Sequence, residues 1–148
     1  MKISDFLSPA DVMLDVKTAN KGQLLQALSR RAATKAGLDA DEVAALILKR
    51  EELGSTGVGN GVALPHARLA GLKASLGLFA RLRRAIDFEA IDDQPVDIVF
   101  LLLLPETANG DQLNALACVA RALRDPETLR RIRDAANPDG LFRAVTAR

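Results

Sequence analysis

The sequence predicts an α/β fold, a single domain over residues 1–148 with helices flanking a small mixed β-sheet. Three observations carry that expectation. The stretch PVDIVFLLLLP (95–105) is apolar almost without a break and β-branched in its first half, so it reads as a central strand covered on both faces. Helical periodicity with capping residues lies both before and after it. Hydrophobic residues make up 49% of 148 residues, enough for one substantial core, and no repeat or low-complexity linker divides the chain.

The elements follow in order. Asn20 and Gln23 form a capping pair ahead of LLQALSRRAATKAG, whose apolar positions Leu25, Leu28, Ala32 and Ala36 keep helical spacing, and Gly37 ends the helix. Asp39, with Glu42 three residues on, starts a second helix through EVAALILKREE that stops at Gly54. After a glycine-rich loop, VAL (62–64) is a short extended piece, and Pro65 holds Leu64 away from helical geometry. ASLGLFARL (74–82) and residues 95–105 are strands. Asn109 and Gln112 open a helix through LNALACVARALR, in which Cys118 reads as a buried packing residue. Asp125-Pro126 and Asn137-Pro138 start two more helices, proline being suited to the first helical position.

Composition removes several function classes. Twenty basic and 19 acidic residues leave a net charge of +1, and there is no Trp or Tyr, so neither a field nor a stacking surface for nucleic acid is expected. No apolar run approaches the roughly 20 residues of a membrane span. The N-terminal MKISDFLSPADVM lacks a secretory apolar core, and a cytoplasmic location is expected. One His and one Cys cannot build a zinc site.

The chemistry concentrates in GSTGVGNGVALPHARL (54–69). Gly57, Gly59 and Gly61 have the wrong spacing for a dinucleotide fingerprint, and Asn60 stands where a P-loop needs its lysine. Glycines allow close backbone approach, so consecutive N–H groups can form an anion cradle, with Ser55 and Thr56 adding hydroxyls. His66, the only histidine, follows Pro65, and a neutral imidazole is a nucleophile. Arg50 follows Val43, Leu46 and Ile47 on the apolar face of its helix, at the end nearest the loop. A nucleophile beside an anion cradle suggests phosphoryl transfer. A tight connection, a structural histidine and an arginine offsetting the helix dipole are the bland readings of the same residues.

Taken together, KREELGSTGVGNGVALPHARL resembles the active-site signature of the IIA components of the bacterial phosphotransferase system, in the fructose/mannitol/nitrogen-regulatory superfamily. AIDFEAIDDQPVDIVFLLLLPE (85–106) is similar to the central strand region of its nitrogen-regulatory branch, and the likeness runs from about Leu7 to Val145. The resemblance implies a phosphohistidine carrier without metal or cofactor. His66 would accept a phosphoryl group, on Nε2, from a phosphorylated HPr-like carrier protein, and Arg50 would neutralise it. Ser55, Thr56, Gly57, Gly59, Asn60 and Gln112 would surround it. Regulated protein targets, such as potassium-transport or sensor-kinase proteins, are implied as partners. Many relatives carry a second histidine where this chain has Gln112, which can donate an N–H but cannot become a cation; the same glutamine is an ordinary capping partner. Alternative functions are a fructose- or mannitol-class subunit passing phosphate to a IIB partner for sugar uptake, and a non-catalytic protein-binding module.

Overall fold

Strong local signals in this chain are helix boundaries, and they set the first two helices. A computed structural model describes residues 1–106 and 111–147, with the side chains of 111–113 outside the description. Helix α1 (Lys21–Ala36) begins where the Asn20 side chain accepts the Gln23 N–H at 2.9 Å. It ends at Gly37, whose φ of 70° lets Leu38 N–H turn back to the Ala33 carbonyl at 2.9 Å. Helix α2 (Ala40–Glu52) is capped by Asp39, which accepts the Glu42 N–H at 3.2 Å. It stops at Glu52, two residues short of the expected Gly54. Helices α3 (Asp111–Ala122), α4 (Pro126–Asp134) and α5 (Pro138–Thr146) follow, the last two with proline at their start as expected. Asn109, the expected cap of α3, lies outside the described residues.

Among the described residues six strands form one mixed sheet. They are β1 (Val12–Val16), β2 (Gly57–Gly59), β3 (Val62–Ala63), β4 (His66–Leu69), β5 (Leu76–Ile86) and β6 (Val96–Pro105). Their order is β1-β5-β6-β3-β2, with β4 also paired to β6. The β5–β6 pair is antiparallel, whereas β1 runs parallel to β5 and β3 and β4 run parallel to β6. Strands β1, β2 and β4 carry too little alternation to stand out in the sequence.

Strand β6 is buried on both faces, and the period of two sorts its side chains into two cores. Ile98, Phe100, Leu102 and Leu104 meet residues of α3, α4 and α5, such as Val119, Ile132 and Leu141. Val99, Leu101 and Leu103 meet α1 and α2, at Leu25, Leu28 and Ile47 among others. Cys118 is half-buried, not buried as expected: it sits on the rim of the first core, its Sγ 3.5 Å from the Met1 carbonyl. No helix among the described residues is long and apolar enough to cross a membrane.

Strands β3 and β4 keep one constant register against β6, Val62 opposite Ile98 and His66 opposite Leu102. They are one line of chain beside β6, interrupted at Leu64-Pro65: β3 has β2 on its other side, and β4 lies at the edge. Proline has no N–H to donate, so the ladder loses a rung there, although the Pro65 carbonyl still accepts the Leu102 N–H at 2.9 Å. His66 is the first residue after that break.

Phe100 is fully buried between Phe6 and Phe79, with ring centroids 6.2 and 5.5 Å away. Phe100→Ala should lower the unfolding free energy by about 3–5 kcal/mol, measured by urea denaturation, since it empties the centre of the first core between Phe6 and Phe79.

Candidate functional site

The last turn of α2 delivers two side chains of opposite charge to the edge strand. The Arg50 Nη1–H donates to the Gly54 carbonyl at 2.9 Å, folding the half-buried guanidinium over the turn that ends the helix. Glu51 turns inward and is buried. Its carboxylate accepts the Thr56 N–H at 2.8 Å and the Thr56 hydroxyl, and pairs with the Lys21 ammonium at 2.9 Å. Lys21 also donates to the Phe88 carbonyl at 3.1 Å and lies 4.6 Å from the centre of the Phe88 ring.

The glycine stretch is a β-hairpin, which corrects the expected anion cradle. Gly57–Gly59 pairs antiparallel with Val62–Ala63, and Asn60-Gly61 makes the turn with φ of 58° and 79°. Asn-Gly between flanking valines favours that turn because both central residues need positive φ. That dipeptide was the readable signal. The backbone donors expected to face an anion are committed elsewhere: Thr56 N–H to Glu51, Gly57 N–H to Ser55 Oγ at 3.0 Å, and Asn60 N–H to Asp92 Oδ2 at 3.1 Å. The Ser55 hydroxyl donates to the Phe88 carbonyl at 3.0 Å.

The structure therefore divides the expected site residues. His66, Arg50 and the turn Gly54–Thr56 come together, because Thr56 O accepts the Leu64 N–H at 2.9 Å two residues before His66. Gly57 lies one step further along the hairpin. Gly59 and Asn60 do not join them. Register separates Val62 from His66 by four residues, about 13 Å, and Asn60 lies beyond Val62. There Arg133 from α4 holds the hairpin tip, donating to the Asn60 carbonyl at 2.7 Å and to Asp97 at 3.0 Å. Gln112 is in the first turn of α3, and its side chain lies outside the described residues. Lys21 and Phe88 at the site, and Asp92 and Arg133 at the hairpin tip, were invisible in the sequence, since all arrive from distant segments.

His66 is half-buried on the edge strand, with Nδ1 2.8 Å from the Leu64 carbonyl oxygen. A carbonyl only accepts, so Nδ1 carries the proton and Nε2 keeps its lone pair. Burial of the ring is the largest influence on its pKa and pushes it below the ordinary histidine value. The bond to Leu64 opposes that, Arg50 lowers it further, Glu51 raises it and Arg68 lowers it. At neutral pH the imidazole is uncharged.

A mixed α/β sheet thus presents one imidazole at its rim, on β4, with an arginine of α2 among the charges acting on it. Residues 5–147 match the family described as the phosphoenolpyruvate-dependent sugar phosphotransferase system, EIIA 2, and the chain belongs to it. It is 45% identical over 142 residues to the nitrogen regulatory protein of Bradyrhizobium diazoefficiens, covering 96% of this chain and 93% of that one. It is 31% identical over 144 residues to the fructose-specific EIIABC component of Bacillus subtilis, covering 96% of this chain but 22% of that protein. The crystal structure of the nitrogen regulatory protein IIA-Ntr from Neisseria meningitidis superposes with a TM-score of 0.92 at 31% identity, covering 97% of this chain and 99% of that one.

Two outcomes follow from the geometry. A Cβ on Gly57 would lie 2.7 Å from the Ala90 Cβ and 2.9 Å from its Cα, so Gly57→Ala should cost about 1–3 kcal/mol in thermal denaturation. The lowered pKa of His66 has a definite sign. Between the folded and the ordinary value the unfolded chain binds more protons, so stability falls as pH drops through that window. The contribution is complete above the ordinary histidine value. Proton NMR titration of the single imidazole should place its midpoint below that value.

Proposed function

We propose that His66 accepts a phosphoryl group on Nε2 from a phosphorylated HPr-like carrier protein, and that partner proteins read the resulting phosphorylation state. One observation carries this reading: the Nδ1 bond to Leu64 leaves Nε2 as the ring atom with a lone pair. In the transfer that pair attacks phosphorus. The donor's P–N bond breaks and its electrons return to the donor imidazole. Positive charge appearing on the His66 ring is shared with the Leu64 carbonyl through Nδ1–H.

Arg50 supports the same reading. One of its five N–H donors is held by Gly54, which fixes the guanidinium and leaves its planar fork for phosphoryl oxygens. Ser55 and Thr56 shape the wall of the site through their bonds to Phe88 and Glu51. No metal or nucleotide on this chain enters the reaction, because the donor brings the phosphoryl group as phosphohistidine. The higher identity to a nitrogen regulatory protein than to a fructose-specific component supports a regulatory role in nitrogen, potassium or carbon status over sugar uptake. Potassium-transport and sensor-kinase proteins are the proposed readers.

Incubation with a phosphorylated HPr-like carrier should add the mass of one phosphoryl group to the intact protein, and none to His66→Ala. Arg50→Ala should be phosphorylated about tenfold more slowly or worse, having lost a charge-assisted contact. A wild-type protein left unmodified by a competent donor would make this chain a binding module. Phosphate retained in His66→Ala would place the acceptor elsewhere.

A further inference from the structure

The buried carboxylate of Glu51 has no part in the transfer as described, yet it anchors the segment opposite the nucleophile. Lys21 Nζ lies 2.9 Å from Glu51 Oε2, which also accepts the Thr56 N–H at 2.8 Å. The Thr56 hydroxyl donates to Glu51 Oε1. The Thr56 carbonyl accepts the Leu64 N–H at 2.9 Å. The Leu64 carbonyl accepts the His66 Nδ1–H at 2.8 Å. An unbroken chain of hydrogen bonds thus runs from an ion pair between α1 and α2, across the β2–β3 hairpin base, to the imidazole. Glu51, Thr56 and Leu64 are all buried, so water is not at hand to replace a lost partner.

We infer that Glu51, held by Lys21, is a positioning residue for His66, acting through Thr56 and Leu64 to select the Nδ1–H tautomer and keep Nε2 free. This rests on the phosphoryl-acceptor reading of His66. Thr56 faces Leu64 one step past the Gly57–Ala63 pair, so a displaced Thr56 carries Leu64 with it. A shift of the Leu64 carbonyl by an ångström breaks a bond that begins at 2.8 Å. Nothing then favours Nδ1–H over Nε2–H, and the fraction of molecules with a nucleophilic Nε2 falls. The charges facing the ring are Arg50 and Glu51 from α2 and Arg68 from its own strand, with Lys21 from α1 reaching it only through Glu51. Glu51 is the one anion among them.

The sole histidine makes the test unambiguous, because nitrogen-15 NMR of the unphosphorylated protein reads one pair of ring nitrogens. At pH 8 the wild type should show a protonated Nδ1 and an unprotonated Nε2. Folded Glu51→Gln should show the two nitrogens averaging toward each other and a titration midpoint below wild type, since the carboxylate that favours imidazolium is gone. Its phosphorylation rate at pH 8 should fall in proportion to the lost Nδ1–H fraction, about twofold where the two tautomers become equal, with the donor KM unchanged. Thr56→Ser, which keeps the hydroxyl bond, should retain the wild-type tautomer, and Thr56→Val should lose part of it. A folded Glu51→Gln with wild-type tautomer and midpoint overturns the inference. Where Glu51→Gln does not fold, Thr56→Val decides, and an unchanged tautomer there overturns it too. A wild-type ring in the expected tautomer that takes no phosphoryl group refutes the acceptor reading while leaving the positioning path standing.

Discussion

The fold depends on a strand that cannot face water on either side. All but one of the residues of β6 are buried, and with alternate side chains pointing in opposite directions the strand demands cover above and below. That demand creates two helix layers, α1 and α2 on one face and α3, α4 and α5 on the other. It also supplies the ladder that β5 joins on one side and β3 and β4 on the other. The register of that ladder places His66 opposite Leu102 and, with Pro65 separating β3 from β4, leaves the imidazole at the rim of the sheet.

Charge is distributed with equal consequence. Around the imidazole two arginines and burial favour the neutral ring, opposed by one carboxylate and one carbonyl. The carboxylate, Glu51, is itself out of water, and it is tolerable there because Lys21 and two Thr56 donors surround it. Removing one partner from such a pair typically costs about 3–5 kcal/mol, since the other is left buried and uncompensated. The ion pair is therefore coupled to stability as well as to the shape of the site. At the other end of the hairpin, Arg133, Asp97 and Asp92 hold the Asn60 tip, so the β2–β3 unit is braced at both ends.

Several parts of this structure were legible beforehand for identifiable reasons. Helix caps at Asn20 and Asp39 act within three residues of the chain, and proline at a helix start acts on its own φ, so neither needs tertiary context. The continuous apolar run of β6, β-branched in its first half and bounded by prolines, fits a doubly covered strand. His66 and Arg50 stood out because one is unique in the chain and the other sits on the apolar face of α2. The glycines misled because a run of them fits a nest as well as a hairpin, and only the Asn-Gly turn with its strand pairing separates the two.

The amino-acid sequence was enough for the α/β class, for the limits of α1 and α2 to within two residues, for the proline starts of α4 and α5, and for singling out one imidazole and one guanidinium. Local propensity and hydrophobic period carry that information along the chain. Which donors remain available at the imidazole was set by contacts between segments of the folded chain. Folding sent the Ser55 and Thr56 hydroxyls to Phe88 and Glu51, moved Asn60 away to Arg133, and set the His66 proton on Nδ1. Those outcomes depend on hydrogen-bond partners from distant parts of the chain or across a strand pairing, and the apolar pattern of a sequence does not encode which partner a polar group will find.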